Sequence, residues 1–178
     1  MTRETLLLHT CCGPCSTAVL EQLMPEYEIT LYFCNPNLDS EAEFAQRLEA
    51  QEIVAKHFAV PLETEAYDPQ AFSASTTDLA SEPEGGERCK YCFSMRLEST
   101  ANLAEARGFS AFGTTLSVSP HKDADLLNEI GTGLSVAYDV PYLAADFKKK
   151  EGYRRSVAIA RELQLYRQNY CGCVYSKP

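Results

Sequence analysis

Short apolar runs alternate with amphipathic stretches along this chain at the spacings of strands and helices. Residues 5–9 (TLLLH) are a run of the kind that is buried on both faces of a sheet. From Ser16 to about Met24 a helix is predicted, with Val19, Leu20 and Leu23 on its apolar side. Residues 28–34 (EITLYFC) alternate and are rich in β-formers, so they predict a second strand, and Asn35-Pro36-Asn37 turns the chain away. Ser40-Glu41-Ala42-Glu43 is a capping box that opens a helix from Glu41 to about Phe58, which Pro61 closes. Residues 62–67 predict a third strand and 69–74 a short helix, and the Ser-, Thr-, Gly- and Glu-rich stretch up to Arg88 predicts a mobile covering segment. Residues 89–107 predict a helix stopped by Gly108, and 109–115 the next strand. A helix then opens at Ser119 and ends at Gly131 and Gly133, residues 140–144 form a short fifth strand, and 153–163 the last helix. Strands alternating with helices place the chain in the α/β class. The predicted architecture is a three-layer α/β/α sandwich on a mainly parallel sheet, with ligands at the carboxyl ends of the strands.

At 178 residues the chain reads as one domain, 1–178, large enough to bury a core without disulfides. No window approaches the length of a membrane span and nothing resembles a signal peptide, so a cytoplasmic protein without a membrane partner is expected. In that compartment eight cysteines suggest metal binding or catalysis rather than structural disulfides. They are bunched: Cys11, Cys12 and Cys15; Cys34 alone; Cys89 and Cys92; Cys171 and Cys173. The net charge of −9 is uneven, since residues 147–178 hold eight basic and two acidic side chains while the other 146 hold eight and twenty-three. A basic end on an acidic chain suggests that this end handles a polyanion and folds back on the site.

Cys12-Gly13-Pro14-Cys15 has the letters of the thioredoxin tetrapeptide, placed between a strand and a helix, where thiolates are stabilised. A thiol-disulfide oxidoreductase using Cys12 and Cys15 is therefore one reading. Against it stand the extra cysteine before the motif and the other paired cysteines. Cys89-Lys90-Tyr91-Cys92 lets two thiolates reach one metal from one helical turn. With Cys11 and Cys12 it supplies four thiolates, enough for a zinc ion or a 4Fe-4S cluster. Cys171-Gly172-Cys173 can close a small, easily reduced disulfide, or join Cys89 and Cys92 in a zinc knuckle. His9 reads as a packed, hydrogen-bonded orienter, His121 as a proton donor, and His57 as a surface residue. Lys148, Lys149, Lys150, Arg154 and Arg155 read either as a solvated face or as phosphate contacts.

Taken in order, LLLHTCCGPCS, YFCNPNL, EGGERCKYC, TTLSVSPHKD, DFKKKEGYRRS and LYRQNYCGCVYS resemble the cobalamin-independent epoxyqueuosine reductase family over nearly the whole chain. The resemblance implies a fold like that of the adenine nucleotide α-hydrolases (HUP-like), a 4Fe-4S cluster, and a tRNA substrate carrying epoxyqueuosine at the wobble position. It also implies Cys11, Cys12, Cys89 and Cys92 as cluster ligands, Cys171 with Cys173 as a redox-active disulfide pair, and a second, mononuclear iron for which Cys15 is the candidate ligand. The ATP-binding loop of that fold's ATP users has no counterpart here, because cysteines occupy the first turn. The chemistry implied is removal of the epoxide oxygen by two electrons and two protons, with electrons from an external donor. Tyr170, Tyr175, Asn169 and Asn35 are the expected readers of the exposed base, and the basic stretch that starts at Lys148 the expected phosphate contacts. A zinc-dependent RNA-binding module is the competing class.

Overall fold

A computed structural model describes residues 3–178. Four parallel strands, β1 (Glu4–Thr10), β2 (Tyr27–Phe33), β3 (Leu62–Thr64) and β4 (Ala111–Thr114), lie in the order β3-β2-β1-β4. The central strand β1 is buried from Leu6 to Thr10, which is why it reads as unbroken apolar sequence. Its residues alternate between two cores. Leu6 and Leu8 pack with Val19, Leu20, Val54 and Ala160 on one face, and Leu7 packs with Ala101, Ala104 and Phe112 on the other. The first face is covered by α1 (Gly13–Leu23), α2 (Glu41–Phe58) and α6 (Gly152–Glu162), and the second by α4 (Glu87–Arg107) and α5 (Ala124–Tyr138); a short α3 (Pro69–Thr76) lies beyond β3 in sequence. The three-layer α/β/α expectation therefore holds. The crossover direction reverses between β1 and β4, and this topological switch point is where α/β sheets open a crevice for ligands.

Local chemistry sets the element ends. The Ser40 hydroxyl accepts from Glu43 N to cap α2, and Gly108, at φ 68, closes α4 with its N–H shared between Ala104 and Glu105. Four expectations need correction. First, α5 runs through Gly131 and Gly133 instead of ending there; a Cβ on Gly131 would lie 2.3 Å from the Tyr142 ring, so this glycine serves close packing rather than termination. Second, residues 119–122 precede α5, which Asp123 caps by accepting from Asp125 N and Leu126 N. Third, the fifth strand shrinks to a single bridge between Phe112 and Tyr142, because Pro141 has no N–H to give and Ala145 N turns to the Asn128 side chain. Fourth, the stretch before Arg88 is gathered by that residue, whose guanidinium donates to the carbonyls of Leu79, Ala80 and Glu82 and stacks on Tyr175.

Candidate metal centre

The turn between β1 and α1 is held by one face of α2. Gln51 Oε1 accepts from Thr10 Oγ1 at 2.6 Å, and Gln51 Nε2 donates to Ser16 Oγ at 3.0 Å. Gly13 lies so close to α2 that a Cβ there would be 2.7 Å from the Ala50 carbonyl oxygen. Cys12 is the extended N-cap of α1 with Pro14 in the first turn, so Cys15 falls on the same helical end as Cys12. The sulfurs of Cys11, Cys12 and Cys15 lie within 4.8 Å of one another, and this triplet can hold a metal ion. Cys12 is fully buried, so it cannot attack a protein disulfide as the first cysteine of a thioredoxin-type motif must.

Cys89 and Cys92 sit in the first two turns of α4, where Cys89 Sγ accepts from Gly85 N at 3.2 Å. The return of the chain brings Cys171 and Cys173 to them, and all four line one small inner cavity of about 10 Å³. That return is pinned. Arg47 donates to the carbonyls of Cys171 (3.0 Å) and Tyr170 (3.2 Å), Asp39 N donates to Gly172 O (2.9 Å), and Gly172 adopts φ 125, open chiefly to glycine. A larger cavity of about 360 Å³ lies on the other side, lined by Cys11, Cys15, His121, Tyr153 and Asn169 among others. Cys171 and Lys122 line both cavities and form the wall between them, with Lys122 Nζ donating to Cys171 Sγ at 2.7 Å. Cys11 and Cys89 also share one apolar cluster with Phe93, Leu97, Leu116 and Leu127.

The electrostatics single out one sulfur, that of Cys11, as the anion, while burial and the neighbouring thiols hold Cys12, Cys15 and Cys92 protonated. Cys11 is the first of its triplet to ionise, held well below its ordinary value by the thiols of Cys12 and Cys15 donating to it and by the Arg96 charge. Burial, and then Cys11 itself, push Cys12 up to about 12, and burial pushes Cys92 up to about 11. Burial and Arg96 bring His9 down to about 4. Its neutral ring bridges the two strand ends, with Nε2–H donating to Cys34 O and Nδ1 accepting from the Thr114 hydroxyl, each at 3.0 Å. Thiols reaching two adjoining cavities, with buried cations among them, fit a thiolate-ligated metal centre by donor chemistry.

Several expected site residues have structural partners. Lys148 Nζ donates to the carbonyls of Ser117 and Lys122 and pairs with Asp146, Arg155 forms a two-bond pair with Glu21, and Arg154 pairs with Glu151 at the surface. Lys149 and Lys150 are exposed. Tyr170 donates to Asp39 at 2.6 Å, Tyr175 lies under Arg88, and the buried Asn35 donates to Thr10 O, whereas Asn169 faces the larger cavity. Cys34 stands apart, its thiol donating to Glu65 at 2.6 Å. His57 is exposed, as expected. Sequence reasoning misses Arg96, Arg47 and Gln51, and marks Lys122 only as a neighbour of His121. For Arg96 a signal exists, since residues 89, 92 and 96 recur on one helical face.

Comparison with known proteins extends this picture. A family model described as "Epoxyqueuosine reductase QueH" matches residues 6–178. Curated proteins of that description are 41% identical over 98% of this chain and 76% of the protein from Staphylococcus epidermidis, and 40% identical over 98% of this chain and 71% of that from Streptococcus pyogenes. The protein of that description from Thermotoga maritima is 35% identical over 97% of this chain and 90% of its own length. Among solved structures, the U34-tRNA thiolase NcsA from Methanococcus maripaludis, with its [4Fe-4S] cluster, superposes at a TM-score of 0.58 and 12% identity over 99% of this chain and 62% of its own. A predicted tRNA methyltransferase subunit from Methanocaldococcus jannaschii superposes at 0.57 and 14% identity over 88% of this chain and 74% of its own. At such identities the likeness is one of fold, the HUP-like fold expected from the sequence. Among the described residues no helix is long and apolar enough to cross a membrane.

Proposed function

The chain belongs to the epoxyqueuosine reductase QueH family, and from that premise and the geometry of the cysteines we propose that it reduces epoxyqueuosine to queuosine in tRNA. The observation that carries the reading is the triplet of Cys11, Cys12 and Cys15, packed within 4.8 Å at the crevice end of β1 and opening onto a cavity large enough for a modified base. Cys11, Cys12, Cys89 and Cys92 would hold a 4Fe-4S cluster, which would supply single electrons taken from an external donor. The shared packing of Cys11 and Cys89, and the position of Arg96 beside both Cys11 and Cys92, support that ligand set. Cys15, left over by that set, would be the ligand for a second, mononuclear iron.

The remaining residues bind, orient and move protons. The larger cavity takes the unstacked base, with Asn169 and Tyr153 on its wall. His121, exposed on the same wall, supplies a proton to the departing oxygen, which leaves as water after two protons and two electrons. Cys171 and Cys173 are the redox-active pair, and Cys171 reaches the cavity while Cys173 stays buried. Lys149, Lys150 and Arg154 hold phosphates, while Lys148 and Arg155 brace the segment that presents them. The setting is the cytoplasm, where tRNA is modified.

Anaerobically purified protein tests this reading. Iron and sulfide should be present, and tRNA carrying epoxyqueuosine should yield queuosine with a chemical reductant, read by mass spectrometry of the nucleosides. Colourless, zinc-loaded protein that binds tRNA without converting it would refute the assignment. It would favour instead a zinc-held RNA-binding module, to which the sharing of one cavity by Cys89, Cys92, Cys171 and Cys173 gives some support.

A further inference from the structure

A buried cation, Arg96, and a half-buried one, Lys122, lie beside the cysteines without an acidic side chain to match them among the described residues. Arg96 is 2% exposed and keeps its charge at any working pH. Its Nε reaches Cys92 O at 3.3 Å, its Nη1 reaches Asn35 Oδ1 at 3.4 Å, and its Nη2 is buried with no hydrogen-bond partner among the described residues. Lys122 donates to Cys171 Sγ and lies 5.6 Å from the centroid of the Phe93 ring, which Arg96 also overlies at 5.8 Å. Neither cation belongs to an ion pair with a carboxylate among the described residues. Arg47 shows the alternative. It is just as buried, yet it pairs with Glu43 at 2.6 Å and donates to two carbonyls besides.

A buried guanidinium with two long hydrogen bonds and an idle nitrogen is costly unless negative charge stands near it. The groups facing Arg96 that can turn negative are the thiols of Cys92, Cys11, Cys171 and Cys34, and those facing Lys122 are the thiols of Cys171 and Cys11; the two cations also face one another, and Arg96 faces the neutral His9, so no other anion offsets them. We propose that Arg96 and Lys122 are positioning residues that provide the fixed counter-charge of the cysteine centre, securing its ligands and stabilising its more negative, reduced state. This rests on the reading that these cysteines hold an iron-sulfur centre. An added electron is stabilised by nearby fixed positive charge, so both residues raise the potential of the centre and hold electrons ready for the substrate.

The test uses Arg96→Met, Arg96→Lys and Lys122→Met, each with and without metal. In metal-free protein, Arg96→Met removes an uncompensated charge and fills its space with an apolar chain, so the unfolding midpoint should equal or exceed that of the natural protein. In loaded protein the sign reverses. Metal should be lost to a chelator faster, on the order of 10- to 100-fold, and the midpoint potential, read by visible absorbance or electron paramagnetic resonance, should move to more negative values in both methionine variants and return towards natural in Arg96→Lys. A purely structural arginine would destabilise both forms alike. Metal-free Arg96→Met that fails to fold, or loaded variants with unchanged chelator lifetime and potential, would overturn the proposal. If the natural protein takes up zinc and no iron, the reductase reading fails, while the chelator comparison on zinc-loaded protein still decides the counter-charge.

Discussion

Placing a single methyl group at Gly13 probes whether the thiol triplet depends on the contact between α1 and α2. A Cβ on Gly13 would lie 2.7 Å from Ala50 O, 2.8 Å from Ala50 C and 3.0 Å from Ala50 Cβ. An ordinary carbon–oxygen contact is about 3.3 Å, so the helices must part by roughly 0.6 Å. Two of the three obstacles are backbone atoms, which no rotamer change can move, so the cost belongs in the upper half of the ~1–3 kcal/mol typical of overpacking. The better helix propensity of alanine returns less than ~1 kcal/mol at a first helical position. A net loss of about 2 kcal/mol corresponds to about 4–8 °C for a domain of this size. Metal retention should fall further, because Cys12 and Cys15 flank the displaced residue and ligand geometry tolerates little movement. Gly133→Ala is the control, since a Cβ there meets nothing within 4 Å, and it should stabilise by up to ~1 kcal/mol. Circular dichroism melting of metal-free protein and iron per chain in loaded protein provide the readouts. A Gly13→Ala variant that melts within about 1 °C of the natural protein and binds full metal would refute the argument.

Arg47→Met should cost about 3–5 kcal/mol by leaving Glu43 buried without its partner, and should speed hydrogen exchange at the Asp39 amide, which donates to Gly172; slow exchange there would show that Arg47 does not anchor the return segment. Burial, followed by the Glu65 carboxylate that accepts its S–H, pushes Cys34 up to about 12 from an ordinary 9.0. A folded value raised above the unfolded one gives stability that is fully present below pH 9 and is lost as pH rises towards 12, ~4 kcal/mol in all. Cys34→Ala should flatten that alkaline fall in urea midpoints, and an unchanged pH profile would contradict it. Charge reversal at Lys149, Lys150 and Arg154 together should weaken tRNA binding and reduce the log–log salt slope by about 2–3, measured by filter binding across ionic strength; an unchanged slope would remove these residues from the interface.

Where sequence reasoning succeeds, one physical cause dominates. β1 and β2 are legible because they are buried, and the triplet at the end of β1 is legible because three cysteines crowded behind an apolar strand have little use except to bind metal or exchange electrons. β3 is shorter than its sequence suggests because an edge strand pairs on one side only, and register with β2 ends at Thr64. Gly131 mimics a helix stop because its packing partner, Tyr142, is distant in sequence and belongs to a segment expected to be a strand. The cations of the site are hidden by the same rule that finds surfaces. Arg47 follows Glu43 by four residues, and Arg96 sits in a helix with many polar residues, patterns that ordinarily mark a solvated face. Only the folded chain shows that both point inward. The basic stretch after Phe147 is legible as charge, but not as a mixture of braces and free side chains, because Glu21 and the carbonyls of Ser117 and Lys122 lie in other parts of the chain.

The anchoring of Gly172 to Asp39 has a consequence for biogenesis. During translation Cys11 and Cys12 emerge from the ribosome long before Arg96 and Lys122, and longer still before Cys171 and Cys173. A nascent chain halted ahead of Tyr170 would carry its earliest thiols on an open crevice, without the wall that separates the two cavities. A site that needs that wall can therefore be completed only once the last residues of the chain have left the ribosome and docked.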